Sequence, residues 1–275
     1  VLVGGLIDPT SAAPLHEQLG GDGLELRSWS CVPQGSGLGT SSILAGCLIA
    51  AVRALVTADT SIDRDALVHA VLRAEQMLTT GGGWQDNVGG IFGGAKLATS
   101  RASLPLRVST TTLSVPSGAT PLDRHLVLMY TGRARLAKNL LQNVVRRWYA
   151  RLPEIVETAD ALTANAEAAA LALEARDLVA LGGCLDKYWQ HKRKMAAGCE
   201  PDFVREVIAA FRQAKLILGA SLCGAGGGGF LALVTAVPDA IAALRDCLSA
   251  ADIQTAGMSF HTVEVDHDGL ELAVE

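Results

Sequence analysis

A glycine-rich loop stands between two segments whose patterns predict a strand and a helix. Apolar and polar residues alternate from Leu24 to Trp29, which is the period of a half-buried strand, and Gly35 to Gly39 follow. The apolar run from Ser42 to Val56 is rich in Ala and Leu and has the length of a buried helix. Because a glycine turn that opens a helix exposes backbone N–H groups beside a partial positive charge, this order predicts a phosphate-binding loop.

The sequence of the loop excludes two common nucleotide-binding families. Pro33 to Ser42 (PQGSGLGTSS) lacks the Gly-Lys-Ser/Thr ending of a Walker A loop and the G-x-G-x-x-G spacing of a dinucleotide fold. The hydroxyl groups at the helix start could reach a Mg²⁺ ion that bridges ATP phosphates. The alternative is an ordinary connection whose helix is capped by Thr40 or Ser41.

Two acidic residues flank a second glycine loop. Glu75 belongs to a helix predicted over Arg64 to Leu78 behind the N-cap Asp63, and Asp86 follows eleven residues after Glu75. Carboxylates separated by a flexible loop can converge on one cleft, where one holds a metal and the other receives a proton from a substrate hydroxyl. The alternative is a solvated helix residue and an ordinary turn former.

A third glycine-rich segment lies near the C-terminus. Gly224 to Gly229 contains five glycines in six positions and precedes the apolar run Phe230 to Thr235. Ordering so many glycines costs roughly 0.5–1 kcal/mol each relative to alanine, so an offsetting function is expected. We interpret the segment as a tight backbone curve against a ligand; the alternative is a flexible linker.

The other patterns predict a mixed first half and a mainly helical second half. Glycine, Thr, Ser and Val between Val88 and Val115 indicate strands and turns, and His125 to Tyr130 a buried strand. Four helices fit between Ala134 and Leu218. A helix from Asp239 to Leu248 and a strand from Phe260 to Val265 complete the chain.

Charge and cysteine usage limit the partners. The net charge of -5 and the pI near 5.7 provide no general attraction to nucleic acid or anionic lipid, so neither is expected as a partner. Ile43 to Val56 contains Arg53 and is too short to span a bilayer. The six cysteines form no C-x-x-C pair, which argues against a zinc site and a disulfide framework and favours a reducing, cytoplasmic compartment.

Taken in order, the three glycine-rich segments resemble motifs of the GHMP kinases. PQGSGLGTSS is similar to their second motif, EQMLTTGGGWQDNVGG to the catalytic segment and SLCGAGGGGF to the third motif. Longer stretches resemble the L-fucose kinases within this family: Gln34 to Leu44, Leu78 to Gly90, Tyr130 to Pro153 and Met195 to Pro201.

The resemblance implies transfer of the γ-phosphate of Mg-ATP to the anomeric hydroxyl of L-fucose, giving L-fucose 1-phosphate in GDP-fucose salvage. Asp86 would be the catalytic residue facing the sugar hydroxyl, as a base or as an orienting charge, and Ser41 and Glu75 would hold Mg²⁺. Trp84, Gln85 and Lys192 are candidates for substrate contact, although Lys192 also fits a solvated helix face. The residues expected to bind ATP are Gly35, Ser36, Gly37, Leu38, Gly39, Thr40, Ser41, Gly224, Gly226 and Gly227.

The fold implied is the α+β GHMP kinase fold, with a truncated, mixed α/β N-terminal lobe over 1–121 and a helix-rich C-terminal lobe over 122–275. Nothing in Val1 to Ser28 matches the family's first motif. The resemblance therefore implies a sugar site that is weak, inactive or dependent on upstream sequence of a longer protein. Two alternatives stay open. One is a kinase for another sugar, such as a heptose phosphate, and the other is a non-catalytic sugar or ATP sensor.

Overall fold

The structure is a computed structural model that describes residues 12–21, 23–78, 82–115, 121–133 and 138–274. These residues form ten helices and six strands, named in chain order. The helices are α1 (Leu15–Gln18), α2 (Thr40–Thr57), α3 (Arg64–Met77), α4 (Gln85–Ile91), α5 (Pro121–His125), α6 (Lys138–Tyr149), α7 (Pro153–Glu174), α8 (Leu178–Met195), α9 (Asp202–Gln213) and α10 (Ile241–Ala250). The strands are β1 (Lys96–Ser100), β2 (Val108–Thr112), β3 (Leu126–Tyr130), β4 (Ile217–Leu222), β5 (Phe230–Thr235) and β6 (Ser259–Thr262).

The chain divides into two compact units. The first unit contains Val1–Val32, Gly39–Gly93 and Asp268–Glu275, and the second contains Pro33–Leu38 and Gly94–His267. The predicted lobe boundary between residues 121 and 122 falls inside the second unit. The assignment of 1–121 and 122–275 to the two lobes of the family stays a prediction.

The first unit is built on α2, α3 and α4, with α2 packed on both of the others. As predicted, α3 begins behind Asp63, whose carboxylate accepts a hydrogen bond of 2.9 Å from the N–H of Ala66. Arg64 donates hydrogen bonds to the backbone oxygens of Ile91, Asp268 and Leu270. This single guanidinium therefore joins the start of α3, the end of α4 and the C-terminal segment.

Helix α2 is longer than the predicted apolar run. It spans Thr40–Thr57, 18 residues, and by length and composition alone it could cross a membrane, so the expectation that the segment is too short was wrong. One such helix is weak evidence for a membrane span, because a core helix of a soluble protein meets the same criteria.

Gly46 of α2 is buried and lies against Leu270 and Ile91, where an added Cβ would come within 3.3 Å of the Leu270 side chain.

The second unit contains two antiparallel sheets, one of β1 and β2 and one in the order β4-β5-β3-β6. The larger sheet and helices α8, α9 and α10 share one apolar core, in which Phe211, Leu231, Leu233 and Leu244 are completely buried. The chain combines helices with two sheets whose strands all pair antiparallel, so the α+β class is confirmed.

Helix α8 lies directly on strand β4. A Cβ added to Gly182 would come within 2.6 Å of the Leu218 Cβ, and one added to Gly219 would collide with the backbone of Gly182. The Asp186 carboxylate accepts hydrogen bonds from the Ala220 N–H at 2.9 Å and from Arg212 of α9 at 2.7 Å. The two glycines allow α8 to pack closely on the sheet, and the Asp186 carboxylate holds it there. Near its end, α8 reaches the segment that follows β4.

Two strand predictions were wrong. Leu24 to Trp29 forms no strand, and Leu26 and Trp29 are 50% and 80% exposed. The segment belongs to neither of the two described sheets, so its backbone groups are not paired in a ladder. Val88 to Ile91 belongs to α4 rather than to a strand region. The other predicted elements, including the four helices from α6 to α9, are confirmed apart from small shifts at their ends.

Candidate functional site

The first and third glycine-rich segments of the sequence, around Gly37 and Gly224, meet backbone to backbone in the second unit. A Cβ on Gly37 would lie 2.6 Å from the Cys223 carbonyl oxygen, and a Cβ on Gly224 would lie 2.6 Å from the Gly37 Cα. The N–H of Phe230 donates a hydrogen bond of 2.9 Å to the Ser36 oxygen. Only glycine allows this approach, because any side chain at either position would enter the opposite backbone.

The backbone of the second segment adopts conformations that favour glycine. Gly224, Gly226, Gly227 and Gly229 have φ angles of 62°, 91°, 87° and 84°. Neighbouring groups hold these conformations. The Gly227 N–H donates to the Cys199 oxygen at 2.7 Å, and the Gly229 oxygen accepts from the Thr131 hydroxyl at 2.8 Å. Gly224 to Gly229 is therefore an ordered curve and not a flexible linker.

Lys192, near the end of α8, also holds this curve. Its side chain is buried, and its Nζ donates hydrogen bonds to the carbonyl oxygen of Gly224 and, at 3.2 Å, to the Tyr188 hydroxyl. The structure therefore places the predicted substrate-contacting lysine against the glycine segment, and the solvated-face alternative does not fit.

The first turn of α2 contacts Glu75 in the first unit. The Ser42 hydroxyl donates to Glu75 Oε1 at 2.8 Å, and the Ser41 hydroxyl lies 3.4 Å from the same oxygen. Glu75 and Ser42 are 8% and 2% exposed, whereas Ser41 is exposed. A buried carboxylate needs such donors because the interior solvates charge poorly. The predicted pair Ser41 and Glu75 is close in space, with Ser42 as an additional member.

Asp86 lies beside the residue that precedes the same helix. A Cβ added to Gly39, whose φ is 68°, would come within 3.1 Å of the Asp86 Cβ and 3.4 Å of its Cγ. Asp86 stands in the first turn of α4 and is exposed, while the next residue, Asn87, is buried and donates to the Val68 oxygen at 3.2 Å. The catalytic candidate therefore projects from a helix that Asn87 anchors to α3.

The predicted residues are divided between the two units. Gly35, Ser36, Gly37 and Leu38 join Gly224, Gly226, Gly227 and Lys192 in the second unit, and Gly39, Thr40, Ser41, Glu75, Trp84, Gln85 and Asp86 belong to the first. The chain passes from one group to the other at the peptide bond between Leu38 and Gly39. Sequence reasoning missed Ser42, Thr131 and Cys199. Ser42 could have been found from its place one residue after Ser41 in the same helical turn.

Cys199 supports the glycine curve with its backbone and not with a reactive thiol. The residue is completely buried, and an added Cβ at Gly226 would come within 2.7 Å of its carbonyl oxygen. Burial raises the pKa of the Cys199 thiol above its usual range. All six cysteines of the chain have free thiols.

The oxygen atoms around Glu75 fit Mg²⁺. No group of three or more His, Cys, Asp or Glu side chains that could hold a metal occurs among the described residues. A protein-only cage for a metal is therefore not built from that part of the chain. Hydroxyl and carboxylate oxygens such as those of Ser41 and Glu75 suit a Mg²⁺ ion that obtains its other ligands from nucleotide phosphates and water.

Removing each serine hydroxyl in turn should show which of the two serines stabilises the buried Glu75 carboxylate. We expect Ser42→Ala to lower the free energy of unfolding by about 1–2 kcal/mol, because the buried Glu75 carboxylate loses its 2.8 Å donor. Ser41→Ala should change stability by less than about 0.5 kcal/mol, since Ser41 is exposed. Urea unfolding of both variants checks this difference, and equal losses would contradict the assignment.

Two family models match most of this architecture. Residues 10–94 match the GHMP kinases N terminal domain, and residues 166–254 match the GHMP kinases C terminal model. The two matches cover more than half of the chain and lie in the order of the family. The chain belongs to the GHMP kinases.

Two curated relatives are similar over most of this chain. It is 34% identical over 209 residues, 76% of its length, to the bifunctional fucokinase/GDP-fucose pyrophosphorylase of Arabidopsis thaliana. It is 33% identical over 243 residues, 87% of its length, to the L-fucokinase/L-fucose-1-P guanylyltransferase of Bacteroides fragilis. The chain spans only 19% and 25% of the length of these relatives.

Solved structures share the fold at lower identity. The galactokinase of Lactococcus lactis complexed with galactose superposes with a TM-score of 0.67 at 19% identity, covering 88% of this chain and 69% of that one. The mevalonate kinase of L. major in complex with R-mevalonate gives a TM-score of 0.60 at 19% identity, covering 84% and 67%. The GHMP kinase fold predicted from the motifs is therefore confirmed.

Proposed function

We propose that the chain is the ATP-binding and catalytic part of an L-fucose kinase. The reaction would transfer the γ-phosphate of ATP to the anomeric hydroxyl of L-fucose, giving ADP and L-fucose 1-phosphate. The observation that carries this proposal is the backbone contact between Gly37 and Gly224. Two segments far apart in the sequence meet at glycines, which have no side chains, and form one ordered turn region. Such a backbone suits the close approach of a polyphosphate.

The nucleotide phosphates would bind at these glycines and at the start of α2. Backbone N–H groups in positive-φ turns and at a helix N-terminus are suited to anions, and α2 is a full 18 residues long. In this proposal Gly35 to Ser41 contact the phosphates, together with Gly224, Gly226 and Gly227. The family's use of a nucleotide donor supports this choice of ligand.

Ser41 and Glu75 would hold Mg²⁺ on the phosphates. Bound Mg²⁺ would neutralise charge on the transferring group, which is the main requirement of phosphoryl transfer. Ser42 keeps the Glu75 carboxylate in place through its 2.8 Å hydrogen bond. The protein thus supplies one fixed carboxylate and one exposed hydroxyl for this purpose.

Asp86 would receive the proton of the sugar hydroxyl. As the anomeric oxygen forms its bond to the γ-phosphorus, the bond from that phosphorus to the β,γ-bridging oxygen breaks, and the hydroxyl proton passes to the Asp86 carboxylate. The exposure of Asp86 and its position against Gly39 leave the carboxylate accessible beside the start of α2. Trp84 and Gln85, immediately before it, are proposed sugar contacts.

The choice of L-fucose rests on the two relatives, whose names both include fucokinase. Both relatives are several times longer than this chain, which supports the expectation of a longer protein. A reducing, cytoplasmic setting also stays a proposal, which rests on the lack of any C-x-x-C pair in the sequence.

A coupled assay of ADP release from Mg-ATP tests the proposal. L-fucose should stimulate release, whereas D-galactose and a heptose phosphate should give much less, and ³¹P NMR should show the phosphate on the anomeric carbon. The same assay on a form extended at its N-terminus tests the role of upstream sequence, and release only in that form would identify the chain as a catalytic fragment. Release in neither form, with ATP bound, would replace the proposal by a sensor on the same fold.

A further inference from the structure

We propose that Lys192 is a positioning residue for the phosphates of the bound nucleotide and does not contact the sugar. This inference rests on the proposed function, because it assumes that the glycine segments bind ATP. It changes the role that the sequence suggested for Lys192. Three observations support it: the burial of the ammonium group, the chemistry of its partners and its attachment to Gly224.

The ammonium group of Lys192 is buried beside neutral partners. Lys192 is 9% exposed, and its Nζ contacts the Gly224 oxygen, the Tyr188 hydroxyl and the face of the Tyr188 ring, whose centroid lies 5.2 Å away. Within the described ranges, no carboxylate forms an ion pair with it. A buried cation without a counter-anion is costly, so a bound anion would be strongly favoured there.

The nearby carboxylates have other partners. Glu200 accepts hydrogen bonds from the Trp189 indole at 2.7 Å and from Arg193 at 2.9 Å. Asp186, one turn and a half before Lys192 on α8, bonds to Arg212 and to the backbone of β4. Glu200 and Asp186 are therefore each paired with an arginine, whereas the Lys192 ammonium group lies beside the glycine curve with uncharged partners.

The attachment to Gly224 gives this charge a place in the nucleotide site. Gly224 is the residue whose Cα region touches Gly37, so Lys192 holds the point at which the two glycine segments meet. Polyphosphate binding needs both an ordered backbone and positive charge. The ammonium group of Lys192 would supply the positive charge, and the same group holds the Gly224 backbone through its hydrogen bond.

Binding of AMP, ADP and ATP, measured by calorimetry with Mg²⁺ and without sugar, tests the proposal. Lys192→Met keeps a long apolar side chain and removes the charge. We expect it to weaken ATP binding about tenfold or more, ADP binding less and AMP binding least, because the loss should grow with the number of phosphates. Lys192→Gln keeps an N–H donor for Gly224 without the charge and should recover only part of the affinity. Lys187→Met, at an exposed position on the same helix, is the matched control and should bind like the unaltered chain.

A stability measurement separates positioning of phosphate from a merely structural role. The urea midpoint of Lys192→Met should equal or exceed that of the unaltered chain, since an unpaired buried charge is replaced by an apolar group. A lower midpoint with an equal loss for all three nucleotides would overturn the proposal, as would unchanged nucleotide binding with a raised KM for the sugar. Full recovery by Lys192→Gln would also overturn it. If the unaltered chain binds no nucleotide, the proposed function itself fails; if both it and Lys192→Met bind ATP equally well, only the Lys192 assignment fails.

Discussion

Replacing Asp86 by Asn should lower the turnover of sugar phosphorylation by about 10²–10⁴-fold while leaving ATP affinity within about twofold. The amide has the size of the carboxylate but accepts no proton at neutral pH, so only the step that removes the hydroxyl proton is impaired. Asp86 lies against Gly39 in a position that an isosteric amide can occupy without moving α2. Steady-state kinetics with saturating ATP, together with calorimetric ATP binding, measure both quantities.

Asp65→Asn is the matched control for this prediction. Asp65 is also an exposed acid in the first turn of a helix of the first unit, but it belongs to α3 and no role in the reaction is proposed for it. Its variant should retain normal turnover. A loss of ATP binding in Asp86→Asn, or equal losses in both variants, would remove Asp86 from the role of proton acceptor.

Replacing Gly37 by Ala should lower kcat/KM for ATP at least about a hundredfold, because a small displacement of catalytic groups costs about that much. A Cβ at Gly37 would come within 2.6 Å of the Cys223 oxygen and 2.8 Å of its carbon, both of which are backbone atoms. Rotamer changes cannot relieve a backbone collision, so the two glycine segments must separate. The φ of 79° adds a cost of about 1–2 kcal/mol for any L side chain.

Gly198→Ala isolates the effect of the collision from that of the backbone conformation. Gly198 has a similar φ of 82°, yet an added Cβ there would meet nothing within 4 Å. This variant should lose about 1 kcal/mol of stability and keep its activity toward ATP. Urea unfolding and initial rates on both variants provide the comparison. Similar activity in the two would show that contact between the glycine segments is not needed for function.

Much of the fold followed from local patterns because those patterns are strong in this chain. The long apolar run of α2 and the Asp63 cap of α3 are local signals that need no distant partner to be recognised. The strand predicted at Leu24 to Trp29 failed because alternation describes a segment able to pair, and pairing depends on a neighbour that the segment itself does not specify.

The site was predictable in its residue types but not in its connections. Glycine clusters and paired acids pointed to phosphate chemistry, and the structure brings Ser41 to Glu75 and Gly37 to Gly224. The link from Lys192 to Gly224 could not be predicted, since it depends on how α8 packs on β4. Long-range packing of this kind has no signal in residue spacing.

The close contact between Gly182 and Gly219 connects the sheet to the glycine curve mechanically. At this contact the two backbones touch, and no side chains lie between them that could rearrange. A displacement of β4 is therefore expected to displace α8 as well. A side chain introduced at either glycine would lift the helix and carry Lys192 away from Gly224. Divergent forms of this protein would therefore be expected to keep glycine at both 182 and 219, so that two positions outside the nucleotide site would limit changes in nucleotide affinity.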